Sequence, residues 1–259
     1  MCKFCIQHGD GKKWYLSSKN YINKLATSNG RESFTIDFFK NYEKNYRNNM
    51  RKVEIANRLP FIRKYAELKV RNYFTQKHAG QVVSLEDAVS ICGLAGRVSV
   101  IECPCRKYLF NKKEKECILF GTTAEIVENL PEFSHLSDLG SEDAAELLKS
   151  VEAKGKIHTI WTFITPYIGA ICNCDKMECL MFHLKNRYNI AEIILAGHET
   201  AIINETLCIG CGACQKICQF GAIVIDRKKA TITNNCCGCG ICRGFCPMKG
   251  IQMIPRIKI

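Results

Sequence analysis

The chain has 259 residues, of which 47% are hydrophobic, and its formal net charge is +12. This length can bury a core in one large domain or in two ordinary ones. No run approaches the roughly 20 apolar residues of a membrane-spanning helix, and the opening Met-Cys-Lys-Phe-Cys lacks the apolar stretch of a signal peptide. We therefore expect a cytoplasmic protein without a membrane span.

The eighteen cysteines are the strongest feature of the composition. Because thiols stay reduced in the cytoplasm and disulfides are rare there, this number predicts that metal holds most of them. The positive charge lies elsewhere: residues 1–116 carry 23 Lys and Arg against 11 Asp and Glu, whereas residues 117–259 carry 14 against 14. The basic part of the chain is therefore distinct from its cysteine-rich end.

Residues 1–83 are predicted to form a basic helical region. The stretch "ESFTIDFFKNYEKNY" predicts one helix, with Phe34, Phe38 and Tyr42 at intervals of four residues. Pro60 suits the first turn of a second helix that runs to about Lys77.

Residues 84–199 are predicted to form an α/β domain. Ser84 can cap the helix "LEDAVSIC", which has acidic residues in its first turn, and a glycine turn and the β-like "RVSVIECPC" follow. Further on, the pattern predicts helices at about 122–130 and from Ser141 to a C-cap at Gly155.

After Gly155 the sequence predicts the strands "KIHTIWTF" and "GAICNC" and then a helix, "MECLMFHLKNRY". The helix, turn and strand of residues 141–165 also bear a weak resemblance to a winged-helix element.

Two segments of this domain contain three cysteines each. "ECPCRKYLFNKKEKEC" and "ICNCDKMEC" supply six candidate metal ligands: Cys103, Cys105, Cys117, Cys172, Cys174 and Cys179. A β-like stretch delivers a C-x-C pair in both, and Pro104 and Asn173 favour a turn at which both thiols converge on one ion. We expect an iron–sulfur cluster here, which would be the third in the chain after two in the C-terminal residues 200–259. The alternatives are a zinc ion, or free thiols that belong to the core or act as a redox dithiol.

Residues 200–259 contain an internal repeat with a period of 28 residues. Each unit reads C-x2-C-x2-C-x3-C and is followed by a β-like stretch, "AIVID" or "IQMIP". Three cysteines on a tight, glycine-containing loop can reach three corners of one cubane, while the fourth points away.

This repeat resembles the bacterial two-cluster ferredoxins, and the resemblance implies two [4Fe-4S] clusters with crossed ligation. One cluster would be held by Cys208, Cys211, Cys214 and Cys246, and the second by Cys236, Cys239, Cys242 and Cys218. A structural-zinc interpretation is disfavoured, because zinc sites close with four ligands and need no interleaved sets. The additional Cys237 is interpreted as a bystander thiol packed near the second cluster.

One position departs from the ferredoxin pattern. Family members usually have proline after each fourth cysteine; Pro247 agrees with this, but Gln219 does not. We expect a local change in backbone or hydrogen bonding near Cys218, rather than loss of a cluster.

Residues 84–259 also resemble a family of uncharacterised dicluster ferredoxin-like proteins, through the segments "CPCR", "CILFG" and "ICNC" that precede the same repeat. Family members often carry a denser cysteine run after "CNC", where this chain has "DKME". The number of metal ligands in the family therefore does not predict how many of the six upstream cysteines bind metal.

The sequence contains several other candidate ligands. Cys2, Cys5 and His8 form a C-x2-C-x2-H half-site that would need a fourth donor. His183 and His198 are interpreted as hydrogen-bonded surface or core residues rather than ligands. No G-x-G-x-x-G follows a predicted strand, so no nucleotide-binding loop is indicated.

These expectations define an α+β chain in which a helical and α/β N-terminal region is fused to a C-terminal two-cluster ferredoxin-like domain. The favoured function is electron transfer, with the basic N-terminal half docking an acidic redox partner, a reductase or dehydrogenase. A reductase with its active site at the six upstream cysteines is the first alternative. A nucleic-acid-binding redox sensor is the second, and is disfavoured because solvated helix faces carry the same scattered charge.

Overall fold

The computed structural model describes residues 3–133, 135–179, 182 and 194–256, and the fold is mixed α+β. The N-terminal helices of the described part are α1 (Lys3–His8), α2 (Asn23–Ala26), α3 (Arg31–Lys40), α4 (Tyr42–Arg58) and α5 (Pro60–Gln76). The central helices are α6 (Leu85–Leu94), α7 (Pro104–Phe110), α8 (Gly121–Glu128) and α9 (Ser141–Ala153). Two short helices, α10 (Ala213–Ile217) and α11 (Ile241–Gly244), lie in the C-terminal repeat.

The helix predicted across residues 32–46 is two helices, because the chain bends at Asn41. The Asn41 amide still donates to the carbonyl of Asp37, but its φ of −105° and ψ of 17° leave the helical region. Its side-chain amide donates to Asp37 Oδ1 at 2.8 Å. Asparagine competes with helical hydrogen bonding in this way, which explains the break. The predicted proline-initiated helix is confirmed: Pro60 occupies the first turn of α5, which ends at Gln76.

A seven-stranded sheet forms the centre of the molecule. Its strands are β1 (Gly80–Val83), β2 (Val98–Glu102), β3 (Lys115–Phe120), β4 (Ser137–Asp138), β5 (Ile157–Thr162), β6 (Ile168–Cys174) and β7 (Ile194–Leu195). The order is β4-β2-β3-β6-β5-β1-β7, and every pair is antiparallel except β1 with β7. Since β1 precedes residue 84, the sheet takes in residues from both sides of the predicted boundary.

Both faces of the sheet are buried. Helices α6 and α9 pack on one face, with Ile91 and Leu148 against Ile160 and Ile171. Helices α3 and α8 cover the other face, where Phe39 lies in the core that contains the upstream cysteines. Burial on both faces is complete along β5, where all six residues are buried, including the polar His158, Thr159 and Thr162.

Ser84 caps α6, as predicted, by accepting a hydrogen bond from the Asp87 amide. The weak winged-helix resemblance at residues 141–165 is not supported. A wing is a small exposed hairpin, whereas β5 is an interior strand with β6 on one side and β1 on the other.

The C-terminal repeat forms a small unit with its own core. Strand β8 (Glu199–Ile203) pairs with β11 (Ile251–Pro255), and β9 (Ile223–Asp226) pairs with β10 (Lys229–Ile232). The pairing of β8 with β11 joins the two ends of the repeat. Apolar side chains from both halves, with several cysteines, form the core between them.

Among the described residues, every helix is too short or too polar to cross a bilayer.

Candidate metal centres

The eight cysteines of the repeat line two separate cavities. The first encloses about 370 Å³, open solvent included, and is lined by Cys208, Cys211, Cys214 and Cys246. The second encloses about 360 Å³ and is lined by Cys218, Cys236, Cys239 and Cys242, together with Cys237. Each cavity thus takes three cysteines from one half of the repeat and one from the other.

Local backbone geometry explains why the three-cysteine loops form. Gly212 and Gly240 precede α10 and α11 with φ of 79° and 82°. This left-handed conformation is strained for any residue with a Cβ, so glycine is needed at both equivalent turns. The turns direct the second and third cysteines of each loop, on either side of the glycine, toward the same cavity.

Backbone amides donate to the sulfur of the fourth cysteine in both halves. The Ala222 amide lies 3.3 Å from Cys218 Sγ, and the Gly250 amide lies 3.4 Å from Cys246 Sγ. The Ala230 amide similarly lies 3.4 Å from Cys208 Sγ. Hydrogen bonds of this kind favour a thiolate and tune the potential of a bound cluster.

The thiols of Cys239 and Cys242 need a bound cation to become thiolates. Burial raises the pKa of Cys242 to about 12 and raises that of Cys239 further. A metal centre deprotonates a coordinating thiol outright and thereby removes this cost. The donor set, the mostly apolar lining and the amide donors together fit a thiolate-bound cluster in each cavity.

Gln219 shows the predicted change in hydrogen bonding at the missing proline. Its Nε2 donates to the carbonyl of Gly155 at 2.9 Å, and its Oε1 accepts from the amide of Lys176 at 3.2 Å. Cys218 still lines the second cavity. The glutamine therefore ties the repeat to the loop that follows β6.

The six upstream cysteines come together at one end of the sheet. Four are buried, at 5% exposure or less, and two are partly exposed; the buried ones are Cys103, Cys117, Cys174 and Cys179, and the others are Cys105 and Cys172. The thiols of Cys103, Cys105, Cys117 and Cys172 lie close enough to affect one another's protonation, as do those of Cys174 and Cys179. Interaction with Cys105 and Cys117 lowers the pKa of Cys103, and interaction with Cys103 raises the pKa values of Cys105 and Cys117.

The predicted turn at Asn173 is wrong, because β6 continues through Cys174. Cys172 and Cys174 are two residues apart in a regular strand, so they share a face without any turn. Asn173 points to the opposite face, where its side chain bonds to His158 Nδ1 at 2.7 Å and to the carbonyl of Glu116. At Pro104 the chain does turn: the proline begins α7, and Cys103 precedes it.

A buried guanidinium lies beside these thiols. Arg106 is 0% exposed; its Nη1 lies 2.6 Å from Glu116, its Nε lies 2.8 Å from Glu178, and its Nη2 donates to the carbonyl of Asn173 at 2.5 Å. Burial lowers its pKa, but thiolates at the six-cysteine site and Glu116 outweigh burial and raise it. A fixed positive charge at this depth fits an anionic metal–thiolate group.

Two further side chains complete the surroundings. Tyr42, at the start of α4, places its hydroxyl 2.8 Å from Cys105 Sγ and stacks on Tyr108. Lys156 lies 2.5 Å from Glu116 and completes the buried ion network. Sequence reasoning missed Tyr42 and Arg106 as site residues; the arginine of "CPCR" was the available signal for the second.

The described residues contain no group of three or more His, Cys, Asp or Glu side chains arranged around a single ion. This observation does not bear on a four-iron cube, which spreads its ligands around a much larger group.

Within the N-terminal half-site, the structure describes Cys5 and its hydrogen-bond partner. Cys5 Sγ lies 2.8 Å from His198 Nε2, and His198 Nδ1 lies 3.1 Å from the hydroxyl of Tyr15. His198 is therefore hydrogen-bonded, as expected, and it connects the N-terminal segment to the beginning of the repeat. Cys2 and His183 lie outside the described residues.

Comparison with known families supplies one match. Residues 201–224, which contain the four cysteines of the first half of the repeat, match the 4Fe-4S binding domain family. No curated protein and no solved structure matches the chain. The repeat is a ferredoxin-like iron–sulfur domain with at least one [4Fe-4S] cluster.

Proposed function

We propose that this protein transfers electrons through two [4Fe-4S] clusters in the repeat and a third iron–sulfur cluster at the six upstream cysteines. The observation that carries the proposal is the pair of cavities, each of which is lined by one of the two sets of four cysteines drawn from both halves of the repeat; Cys237 is a fifth cysteine in the second cavity. This is the donor arrangement that crossed ligation requires.

When bound, each cluster supplies one-electron transfer at a potential set by charge, hydrogen bonds and burial. The residues of the chain control those three quantities. Amides of Ala222, Ala230 and Gly250 stabilise the thiolates of the repeat, and the apolar lining excludes water. At the upstream site, the Arg106 guanidinium offsets negative charge, which favours reduction.

The proposed partner is an acidic redox protein, a reductase or dehydrogenase, that docks on the basic N-terminal half. Helices α4 and α5 form a hairpin with nine Lys and Arg and three Asp and Glu. The α4 end at Tyr42 contacts Cys105, so a partner bound there lies beside the upstream thiols. Charge complementarity speeds such encounters and makes them salt-dependent. We propose a cytoplasmic location, since these thiols must be reduced to bind clusters.

The test is iron and acid-labile sulfide per chain, with EPR spectra, after anaerobic reconstitution. About twelve iron atoms are expected in the wild type, from four in each of three clusters, and about eight in Cys174→Ala. The matched control is Cys92→Ala, which removes a buried thiol on α6, on the other face of the sheet. About eight iron atoms in the wild type would remove the third cluster, and about four would leave a single-cluster protein.

A reductase acting at the upstream site is favoured by one observation: two of its six thiols, Cys105 and Cys172, are partly exposed. Four thiols suffice for a cluster, so an accessible pair remains for substrate chemistry. Reduction of a small acceptor that disappears in Cys105→Ser, at unchanged iron content, would support this second function. Turnover equal to that of the wild type would count against it.

A further inference from the structure

The two cavities of the repeat differ in their relation to the upstream site. Several residues that line the second cavity also pack in the core that contains the upstream cysteines. Phe220 lines that cavity, and its ring lies 5.6 Å from the ring of the buried Phe182. Cys239, a second-cavity cysteine, packs against the same core as Cys103 and Cys174.

The first cavity faces away from this core. Cysteines 208, 214 and 246 pack only within the core of the repeat, and Cys211 is exposed. Its rim carries exposed apolar side chains, Ile209 at 58% and Met248 at 42%. A cavity with an apolar rim and no contact with the upstream core suits exchange with an external carrier, whereas residues that line the second cavity pack against both cores.

Gln219 holds the second cavity against the upstream loop. The residue follows Cys218, and its two hydrogen bonds end on Gly155 and Lys176, both outside the repeat. Lys176 lies between Cys174 and Cys179. A proline at this position, as in the resembling ferredoxins, could form neither bond, because its ring carries no amide group.

Gly155, whose carbonyl accepts the hydrogen bond from Gln219, is closely packed against Ile217. Gly155 has a φ of 80°, and a Cβ there would lie 2.5 Å from Ile217 Cδ1. Ile217 lines the second cavity and contacts both cores. The contact between the two centres is therefore fixed by packing as well as by the two hydrogen bonds.

We propose that the second cluster is the relay between the first cluster and the upstream centre, and that Gln219 is a positioning residue that fixes this relay. In each step one electron leaves one centre and enters the next, and no bond forms or breaks. The first cluster is the end that receives electrons from, or gives them to, an external carrier. This inference rests on the three clusters of the proposed function and adds their order.

The first test is magnetic interaction between reduced clusters in the holoprotein, measured by EPR after dithionite reduction. In the wild type the signal of the upstream cluster should be broadened by a neighbouring spin. Cys236→Ala, which alters the second cluster, should abolish the broadening; Cys211→Ala, which alters the first, should leave it. Broadening lost only in Cys211→Ala would overturn the order.

The second test examines the positioning role without removing a ligand. In Gln219→Leu, amide hydrogen exchange at Lys176 should become about 2- to 12-fold faster, the fold-change that corresponds to a lost hydrogen bond of about 0.5–1.5 kcal/mol. The broadening should decrease at unchanged iron content. Gln252→Leu, an exposed glutamine on β11, is the control and should change neither quantity.

The possible results separate this inference from the proposed function. About eight iron atoms per chain would overturn the relay and remove the third cluster from the proposed function, which would leave electron transfer through the two clusters of the repeat. About twelve iron atoms with no effect of Gln219→Leu on exchange or broadening would overturn the positioning role alone. Gln219→Asn keeps a donor and an acceptor on a shorter side chain. It should not restore the wild-type exchange rate or the broadening, because this side chain cannot reach the carbonyl of Gly155 and the amide of Lys176 at the same time.

Discussion

Replacing Arg106 by methionine should be among the most destabilising changes at the upstream site. The substitution removes three hydrogen bonds from a guanidinium that is 0% exposed, and it leaves the buried carbonyl of Asn173 without this donor. Breaking a buried ion pair costs about 3–5 kcal/mol. Lysines remain beside both glutamates, Lys156 at Glu116 and Lys112 at Glu178, so we expect a loss near the lower end, about 3 kcal/mol.

The assay is anaerobic urea unfolding of the holoprotein, followed by circular dichroism. With an m-value of about 3 kcal/mol/M, a loss of about 3 kcal/mol lowers the midpoint by about 1 M. The control is Arg97→Met, which breaks ion pairs with Glu128 and Asp138 at a partly exposed arginine. Such pairs contribute about 0–1 kcal/mol. Equal midpoint shifts in the two variants, at equal iron content, would refute the claim that Arg106 stabilises the buried site.

Three further predictions concern the cysteines of the second cavity, the pH dependence of stability, and the close packing at Gly155. Cys218→Ala should lower the iron content and change the EPR signal of the second cluster, whereas Cys237→Ala should leave about the wild-type iron content. Burial holds the pKa of His78 at about 4, below the value of about 6.5 for an unfolded chain, so the unfolded state binds more protons below pH 6.5. Stability should therefore fall by about 1 kcal/mol between pH 7.5 and 5.5, and His78→Phe should remove this part of the pH slope in urea titrations. Gly155→Ala should destabilise by about 1–3 kcal/mol, since it adds strain at positive φ and an atomic overlap; Gly93→Ala, on a helix with no atom within 4 Å, should be neutral or stabilising, and equal effects would contradict this reasoning.

The C-terminal repeat was predictable because its chemistry is local. Ligand spacing and the glycine of each loop lie within a dozen residues, so the sequence alone indicates which thiols share a loop. The structure gathers the cysteine sets of the crossed assignment into two cavities. Helix starts at Ser84 and Pro60 were also predictable, because capping and proline geometry depend on neighbouring residues.

Interactions between distant segments were not predictable. The bond partners of Arg106 are 10 to 72 residues away in the chain, and those of Gln219 are 43 and 64 residues away. No local pattern encodes such pairings. The bend at Asn41 was missed for another reason: the aromatic spacing continues across it, and a side-chain hydrogen bond decides the outcome. For the C-x-C pair of β6, the period of two already places both thiols on one face, so no turn was required.

The bond between Cys5 and His198 has a consequence for how the chain is made. The two residues are 193 positions apart, and Lys13 reaches Glu199 across 186 positions. Ribosomes add about 5–20 residues per second, so these two contacts can form only roughly 10–40 s after Cys5 and Lys13 have been synthesised. Trp14 and Tyr15 can reach Gln81 and Asp87 earlier, because these partners are only 67 and 72 positions away. Newly made protein should therefore pass through a stage in which the N-terminal segment is held by these nearer contacts and not yet by His198 and Glu199, and in which it is more easily cleaved by protease than in the finished fold.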